Sequence, residues 1–192
     1  MTSENIHAGM PAPFTSSHNS AWYAAAMERL VRVVQLLSKS HTIESVTRVV
    51  RHAARELTGA DGATFVLRDG DQCFYADEDA ISPLWKGQRF PMEKCVSGWV
   101  MMNREVLFIE DIYKHPRVPH DVYRQTFVKS MIMVPIRHND PLGAIGNYWA
   151  TPHQVSLEEL KVLQILADTT SLALENVRLA GELSATRPGQ PG

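Results

Sequence analysis

Cysteine is nearly absent: Cys73 and Cys95 are the two thiols in 192 residues. Two are too few for a disulfide framework, and their spacing is not the CxxC of a structural zinc site. A pair of reduced thiols is the expectation. No run approaches the ~20 apolar residues of a membrane-spanning helix. The opening residues, MTSENIHAGMPAPFTSSHNS, lack the basic start and apolar stretch of a secretory signal. These absences predict a cytoplasmic chain with no membrane partner. Excess charge of one sign is also missing: the formal net charge of -2 leaves no electrostatic footprint for nucleic acid. What is present, 44% hydrophobic and 21% charged residues, suits an ordinary globular chain, and the length fits one domain.

Residues 1–19, rich in Ser, Pro, Gly and Asn, read as a flexible tail that cannot bury enough apolar surface to offset ordering. From Ser20, an N-cap candidate, a stripe of Met27, Leu30, Val34 and Leu37 predicts a helix over 20–39. Thr42 caps a second helix carrying Ile43, Val46, Val50, Ala53 and Leu57, with Gly59 as its stop. The period then becomes extended: ATFVL at 63–67, an Asp69-Gly70 turn and CFYA at 73–76 form a hairpin. Residues 78–92 mix acids, prolines and glycine with Trp85 and Phe90, the pattern of a loop pinned to an apolar surface.

A short helix over VSGWVMM, a strand at 106–109 and an irregular stretch from Glu110 to Phe127 follow. MIMVPI and LGAIGNYW then read as strands flanking an Asn139-Asp140 turn, with Gly143 and Gly146 where another backbone or a ligand approaches closely. The last helix, 156–183, opens with a Ser156/Glu159 capping box. It carries Leu160, Leu163, Ala167, Thr170, Leu174 and Val177 on heptad steps and a second stripe of Val162, Leu166 and Ala173. One face is expected to pack on the sheet and the other on a partner helix, which predicts a homodimer through the terminal helices; the alternative is that one protomer buries both. Residues 184–192 read as a second flexible tail.

This order of elements resembles the GAF family over roughly residues 40–180. The string CVSGWVMMNREVLFIEDIYKHPR is similar to the family's Gly-Trp helix and the segment after it, with Gly98, Trp99, Val106, Ile109, Asp111, Ile112, Pro116 and Arg117 in place. SMIMVPI followed by LGAIGNYWA resembles its paired strands through Ser130, Pro135, Ile136 and Gly143. The resemblance implies an α+β fold. Its central antiparallel sheet has five to six strands, with N- and C-terminal helices on one face and a ligand pocket under loops and short helices on the other. FPMEKCVSGW and the strings after it look most like GAF input domains of bacterial two-component sensor histidine kinases. No phosphoacceptor-histidine helix, ATP-binding box or nucleotide lid is found, so the chain itself is not expected to be the kinase.

Some GAF proteins reduce free methionine sulfoxide and resemble the chain around DIYKHPRVPHD, but their nucleophilic cysteine falls at His120 and its partner at Ser97. VPHDVYRQTF holds no cysteine for a covalent bilin and replaces the pattern of cyclic-nucleotide binders. No catalytic or metal-ligating set stands out among the histidines and carboxylates; noncovalent haem stays open, as does a thiol-based redox role for Cys95 near the start of a short helix. The implied function is signal sensing: a small molecule binds, and the terminal helices pass the signal to a histidine kinase module. The alternative is a ligand-free dimerisation module. Residues expected to face the ligand are Trp85, Phe90, Trp99, Ile112, Tyr113, His120, Tyr123, Phe127 and Tyr148, with Arg124 and Ser130 to orient a polar end.

Overall fold

The computed structural model describes residues 20–186; the expected tail at 1–19, the part of the expected 184–192 tail from 187 on, and the capping side chain of Ser20 lie outside them. Two helices, α1 (Ser20–Ser38) and α2 (Ile43–Thr58), precede the strands β1 (Gly62–Asp69), β2 (Gln72–Ala80) and β3 (Arg89–Pro91). A 3₁₀ turn (Met92–Lys94), α3 (Val96–Asn103) and β4 (Leu107–Ile109) follow. The chain continues through α4 (His120–Tyr123), β5 (Ser130–Ile136), β6 (Gly143–Trp149) and α5 (Leu157–Thr186). The strands form one antiparallel six-stranded sheet in the order β3-β2-β1-β6-β5-β4, the architecture the sequence implied.

Helix ends follow local chemistry. Thr42 Oγ1 accepts from the Ser45 amide at 3.1 Å while Ser45 Oγ accepts from the Thr42 amide at 3.2 Å. Gly59 ends α2 in the left-handed region at φ 64°, where L side chains are strained. At α5, the Ser156 amide donates to Glu159 Oε2 at 2.7 Å and the Glu159 amide to Ser156 Oγ at 3.1 Å, closing the expected capping box.

The sheet separates two cores. On one face α1, α2 and α5 bury Leu30, Val50, Leu57, Phe65, Ile145 and Leu166; on the other α3 and the irregular roof bury Val66, Tyr75, Trp85, Val100, Met133 and Tyr148. Each fully buried Leu, Ile or Phe contributes ~1.5–3 kcal/mol through apolar surface removed from water. Gly98 lets α3 approach the 3₁₀ turn: a Cβ there would meet the Met92 carbonyl oxygen at 2.0 Å.

Several sequence expectations change. Ile43 is exposed rather than part of the buried face of α2. The hairpin turn is Gly70-Asp71, since Asp69 pairs with Gln72. Strand β2 runs on to Ala80, and Arg89–Pro91 is a strand, so the expected loop of 78–92 shrinks to 81–88. Between β5 and β6 the chain needs residues 137–142 to turn, with Arg137 and Asp140 at positive φ, tied by Arg137 Nε donating to Asp140 O at 2.8 Å. On α5, Leu163, Ala167, Thr170 and Leu174 are buried together with Val162, Leu166 and Ala173 in one protomer, because α1, α2 and the sheet surround more than one face of the helix. The helix also runs past position 183 to Thr186. Its exposed apolar seam is Leu172, Leu179 and Leu183.

β2 carries a bulge: Phe65 pairs with Asp77 but Val66 with Tyr75, leaving Ala76 over. Asp77 therefore reaches Arg51 at 2.6 Å, and Asp79 meets Arg55 at 2.5 Å and His52 at 2.9 Å, clamping β2 to α2. Burial alone would raise the Asp79 carboxyl, but hydrogen bonds from His52 and Arg55 and their charge hold it below the ordinary carboxylate range. Glu78 points to the opposite face and accepts from the amides of Leu84, Trp85 and Lys86 at 2.9, 2.8 and 2.8 Å, fixing the loop.

A depressed folded-state pKa stabilises above the unfolded value of ~3.9 and loses that contribution as pH falls through the folded value. Asp79→Asn is therefore expected to cost ~1 kcal/mol at neutral pH, a Tm loss of ~2–4 °C, with the gap to wild type closing below pH ~4. A gap constant with pH in thermal melts contradicts the clamp. Glu78→Ala strips three amides of their acceptor and should speed hydrogen exchange at Leu84, Trp85 and Lys86 at least ~10-fold without a global change; unchanged protection there contradicts the loop anchor.

Candidate functional site

Under the roof, strands and loops deliver aromatic rings to one place. Tyr75 comes from β2, Tyr148 from β6, Tyr123 from α4, and Trp85 from the loop that Glu78 holds. Trp85 packs edge-on against Tyr123 at 4.8 Å and against Tyr75 and Tyr148 at 5.6 Å, while Tyr75 meets Phe90 at 5.4 Å. Edge-to-face pairs at these separations add ~0.5–1.5 kcal/mol each beyond area burial.

Each buried phenol finds a partner. Tyr148 Oη lies 2.9 Å from Thr64 Oγ1, Tyr75 Oη 3.2 Å from Ser97 Oγ, and Tyr123 Oη 3.9 Å from Met131 Sδ. Burial pushes all three phenols above their ordinary pKa, so they are neutral hydrogen-bonding groups at physiological pH. Gly146 makes room for this arrangement: a Cβ would lie 2.5 Å from Tyr148 Oη.

The rings fill the space they enclose. A cavity of ≈ 20 Å³ remains, bordered by Tyr75, Trp85, Phe90, Cys95, Val122 and Tyr123. That volume suits about one water, far below the ~300–1,000 Å³ of ordinary ligand sites. Larger concavities open at the surface, one of ≈ 560 Å³ beside Gly70, Met102 and Arg104 and one of ≈ 490 Å³ between α1 and α2. Neither contains the aromatic cluster.

Of the residues expected at the site, Trp85, Ile112, Tyr123 and Tyr148 are buried in the cluster, and Phe90, Trp99 and Phe127 pack against it half-buried. Trp99 also lies under the Arg117 guanidinium, 4.7 Å from its ring centre. Four others are placed elsewhere. Tyr113 is exposed, with Lys129 Nζ 4.8 Å from its ring and His120 beside it at 5.9 Å. His120 bonds the His115 carbonyl at 3.3 Å. Arg124 points to solvent and pairs with Asp121 at 3.4 Å. Ser130 is spent on the Thr151 carbonyl at 2.8 Å. The single turn α4 spends its inward face on Tyr123, leaving His120 and Arg124 outside, and the alternation of β5 gives the roof Met131 and Met133 and not Ser130.

Tyr75, Thr64 and Ser97 belong to the site and were not among the residues expected to face a ligand; Cys95, expected as a redox candidate, borders the cavity too. The alternation of Cys73 and Tyr75 in CFYA was the available signal for Tyr75, since both lie on one face of a strand. Among the described residues no group of three or more His, Cys, Asp or Glu side chains is placed to hold a metal ion. His153 stacks on Trp149 at 4.1 Å and bonds Glu159 at 3.0 Å. No helix of the described residues is long and apolar enough to cross a membrane.

Solved structures share this architecture. The GAF domain of an Acinetobacter phosphoenolpyruvate-protein phosphotransferase superposes with a TM-score of 0.71 at 17% identity, over 82% of this chain and 98% of that one. A free methionine-R-sulfoxide reductase from Neisseria meningitidis, in complex with its substrate, gives 0.71 at 19% identity, over 88% and 98%. The chromophore-binding domain of a bacteriophytochrome from R. palustris gives 0.69 at 15%, over 82% and 63%. No curated protein sequence matches the chain. The sequence profile of the GAF domain matches residues 40–175, and with a six-stranded sheet roofed on one face and helical on the other, the chain belongs to the GAF domain family.

Proposed function

We propose that this GAF domain is a signal-sensing regulatory module without catalytic activity of its own. A small apolar molecule enters under the roof, and α1 and α5, paired with those of a second copy, carry the change to a histidine kinase module in two-component signalling. The observation that carries this reading is the aromatic cluster closed over ≈ 20 Å³ on the face of the sheet opposite the terminal helices. A ligand of ordinary size has to displace a roof ring, so its binding energy is tied to a conformational change and shifts a population. That a chromophore-binding domain and a substrate-bound reductase are built on this fold supports a ligand-binding reading.

The path to the helices is short. In β6, Tyr148 faces the cluster and the preceding Asn147 faces α2, its Nδ2 donating to Ala54 O and Thr58 Oγ1 at 2.7 Å each. Exit through α5 is supported by its exposed Leu172, Leu179 and Leu183, which with Asn176 repeat at steps of four, three and four, the spacing of a coiled-coil seam. The filled cluster also favours a second reading, a ligand-free module that serves dimerisation alone.

Native mass spectrometry should show a dimer, and a Leu179→Glu, Leu183→Glu double variant a monomer whose far-ultraviolet circular dichroism is unchanged and whose melting temperature no longer depends on protein concentration. A monomeric wild type, or a dimer that survives both substitutions, contradicts pairing through α5. Noncovalent mass released on denaturation supports the sensor reading; a bare dimer indifferent to added apolar ligands favours dimerisation alone.

A further inference from the structure

We propose that the concavity between α1 and α2 is a second ligand site, on the helical face of the sheet, that takes a small amphiphilic carboxylate: an aliphatic or aromatic body carrying one acid group. Helical spacing builds it. Arg29, Val33 and Leu36 of α1 and Val49, Ala53 and Glu56 of α2 each follow steps of four and three, so two helix faces meet across the gap. The space they enclose, ≈ 490 Å³, is that of an ordinary small-molecule site. It is bounded at both ends: Arg29 Nη1 donates to the Glu56 carbonyl oxygen at 3.5 Å across the gap, and beyond Leu36 the helices are joined by the short turn at 39–42. From Arg29 to Leu36 is ~10 Å of helix, enough for a medium-length alkyl chain or one aromatic ring and too short for a partner helix running through.

The floor is apolar. Val33 and Ala53 are buried at its base and Val49 is half-buried, yet Leu36 beside them stays 54% exposed. The rim is cationic. Arg32 of α1 and Arg48 of α2 border the space and are exposed, and among the described residues neither has a hydrogen bond or ion pair, although Glu28 and Glu44 stand one turn back on the same helices. The remaining charged groups of the wall have partners: Arg29 the Glu56 carbonyl, Glu56 the His52 ring at 3.8 Å, and Arg51 the Asp77 carboxylate at 2.6 Å.

Two unmatched guanidiniums, one from each helix, thus overhang an uncovered apolar floor in a chain whose formal net charge is -2. A guanidinium grips a carboxylate through two parallel hydrogen bonds, so the acid sits at Arg32 and Arg48 and the body of the ligand covers Leu36 and Val49. A neutral apolar molecule leaves both cations unused, and a hydrophilic anion leaves the floor in water; an amphiphilic carboxylate satisfies both. Such a ligand touches α1 and α2 together and ties α1 to the body of the domain, with the whole sheet between it and the aromatic roof.

The probe is octanoate, titrated into the isotope-labelled full chain at neutral pH and followed by amide NMR shifts, with octanol as the neutral control of the same length. The expected result is a saturating shift centred on Val33, Leu36, Val49 and Ala53, with a Kd of ~0.1–1 mM for so small a ligand. Affinity should fall as salt is raised. Octanol should bind at least ~10-fold more weakly, as should octanoate to an Arg32→Glu, Arg48→Glu variant. Both arginines are exposed, and an otherwise unchanged amide spectrum shows that the variant is folded. No saturating shift on α1 and α2, equal binding of octanol, or full affinity in the double variant would overturn the proposal, as would shifts centred on Trp85, Tyr123 and Tyr148. The two faces report through different amides, so this proposal and the reading of the roof as a ligand site fail separately.

Discussion

One extra residue in β2, Ala76, decides which side chains of that strand reach which face of the sheet. Before it, Cys73 and Tyr75 point to the roof; after it, the phase is reversed, so Asp77 and Asp79 reach the cations of α2 while Glu78 turns to the loop amides at Leu84, Trp85 and Lys86. A uniform strand would set the two aspartates on the face of Tyr75, among aromatic rings, where an unpaired charge is costly. The bulge thus attaches the same strand to the helical layer by ion pairs and to the roof by a capping carboxylate. Trp85 is fixed by that carboxylate, and the packing of Tyr75, Tyr123 and Tyr148 is built around Trp85.

A sheet only one residue thick joins the two cores. Neighbouring residues along β6 alternate between them: Ala144 and Tyr148 serve the roof, while Ile145, Asn147 and Trp149 serve the helices. Close-packed interiors transmit displacement poorly by degrees and well by switching between packed states. A roof whose cavity holds about one water is such a packed state, and a ligand that displaces a ring supplies a distinct alternative.

Much of the fold was legible because it is written in local chemistry. The Thr42 and Ser156 caps, the Gly59 stop, the Gly98-Trp99 helix and the alternation of the paired strands each rest on a few adjacent residues. Three features were not, and all depend on distant contacts. The bulge is set by Phe65 and Val66 in another strand, so the end of β2 and the role of Glu78 were hidden. The apolar stripes of α5 exceed what a sheet alone would bury, and α1 and α2 take the surplus; the exposed seam lies at Leu172, Leu179 and Leu183. At the site the aromatics were found by type, but the polar residues were chosen by proximity in sequence. Arg124 and Ser130 have other partners, while Cys95 and Ser97 are brought in by α3.

Coupling between the faces of the sheet is the claim on which sensing rests, and a double-mutant cycle measures it directly. Trp85→Phe perturbs the roof and Asn147→Ala the anchor of α2, with stability read by denaturant unfolding of both single variants, the double variant and wild type. Side chains on opposite faces without a shared partner add within ~0.3–0.5 kcal/mol. The structure predicts an interaction energy above ~0.5 kcal/mol, carried through β6 by Tyr148; additivity within ~0.3 kcal/mol would mean that the roof and the terminal helices are independent, which contradicts the account.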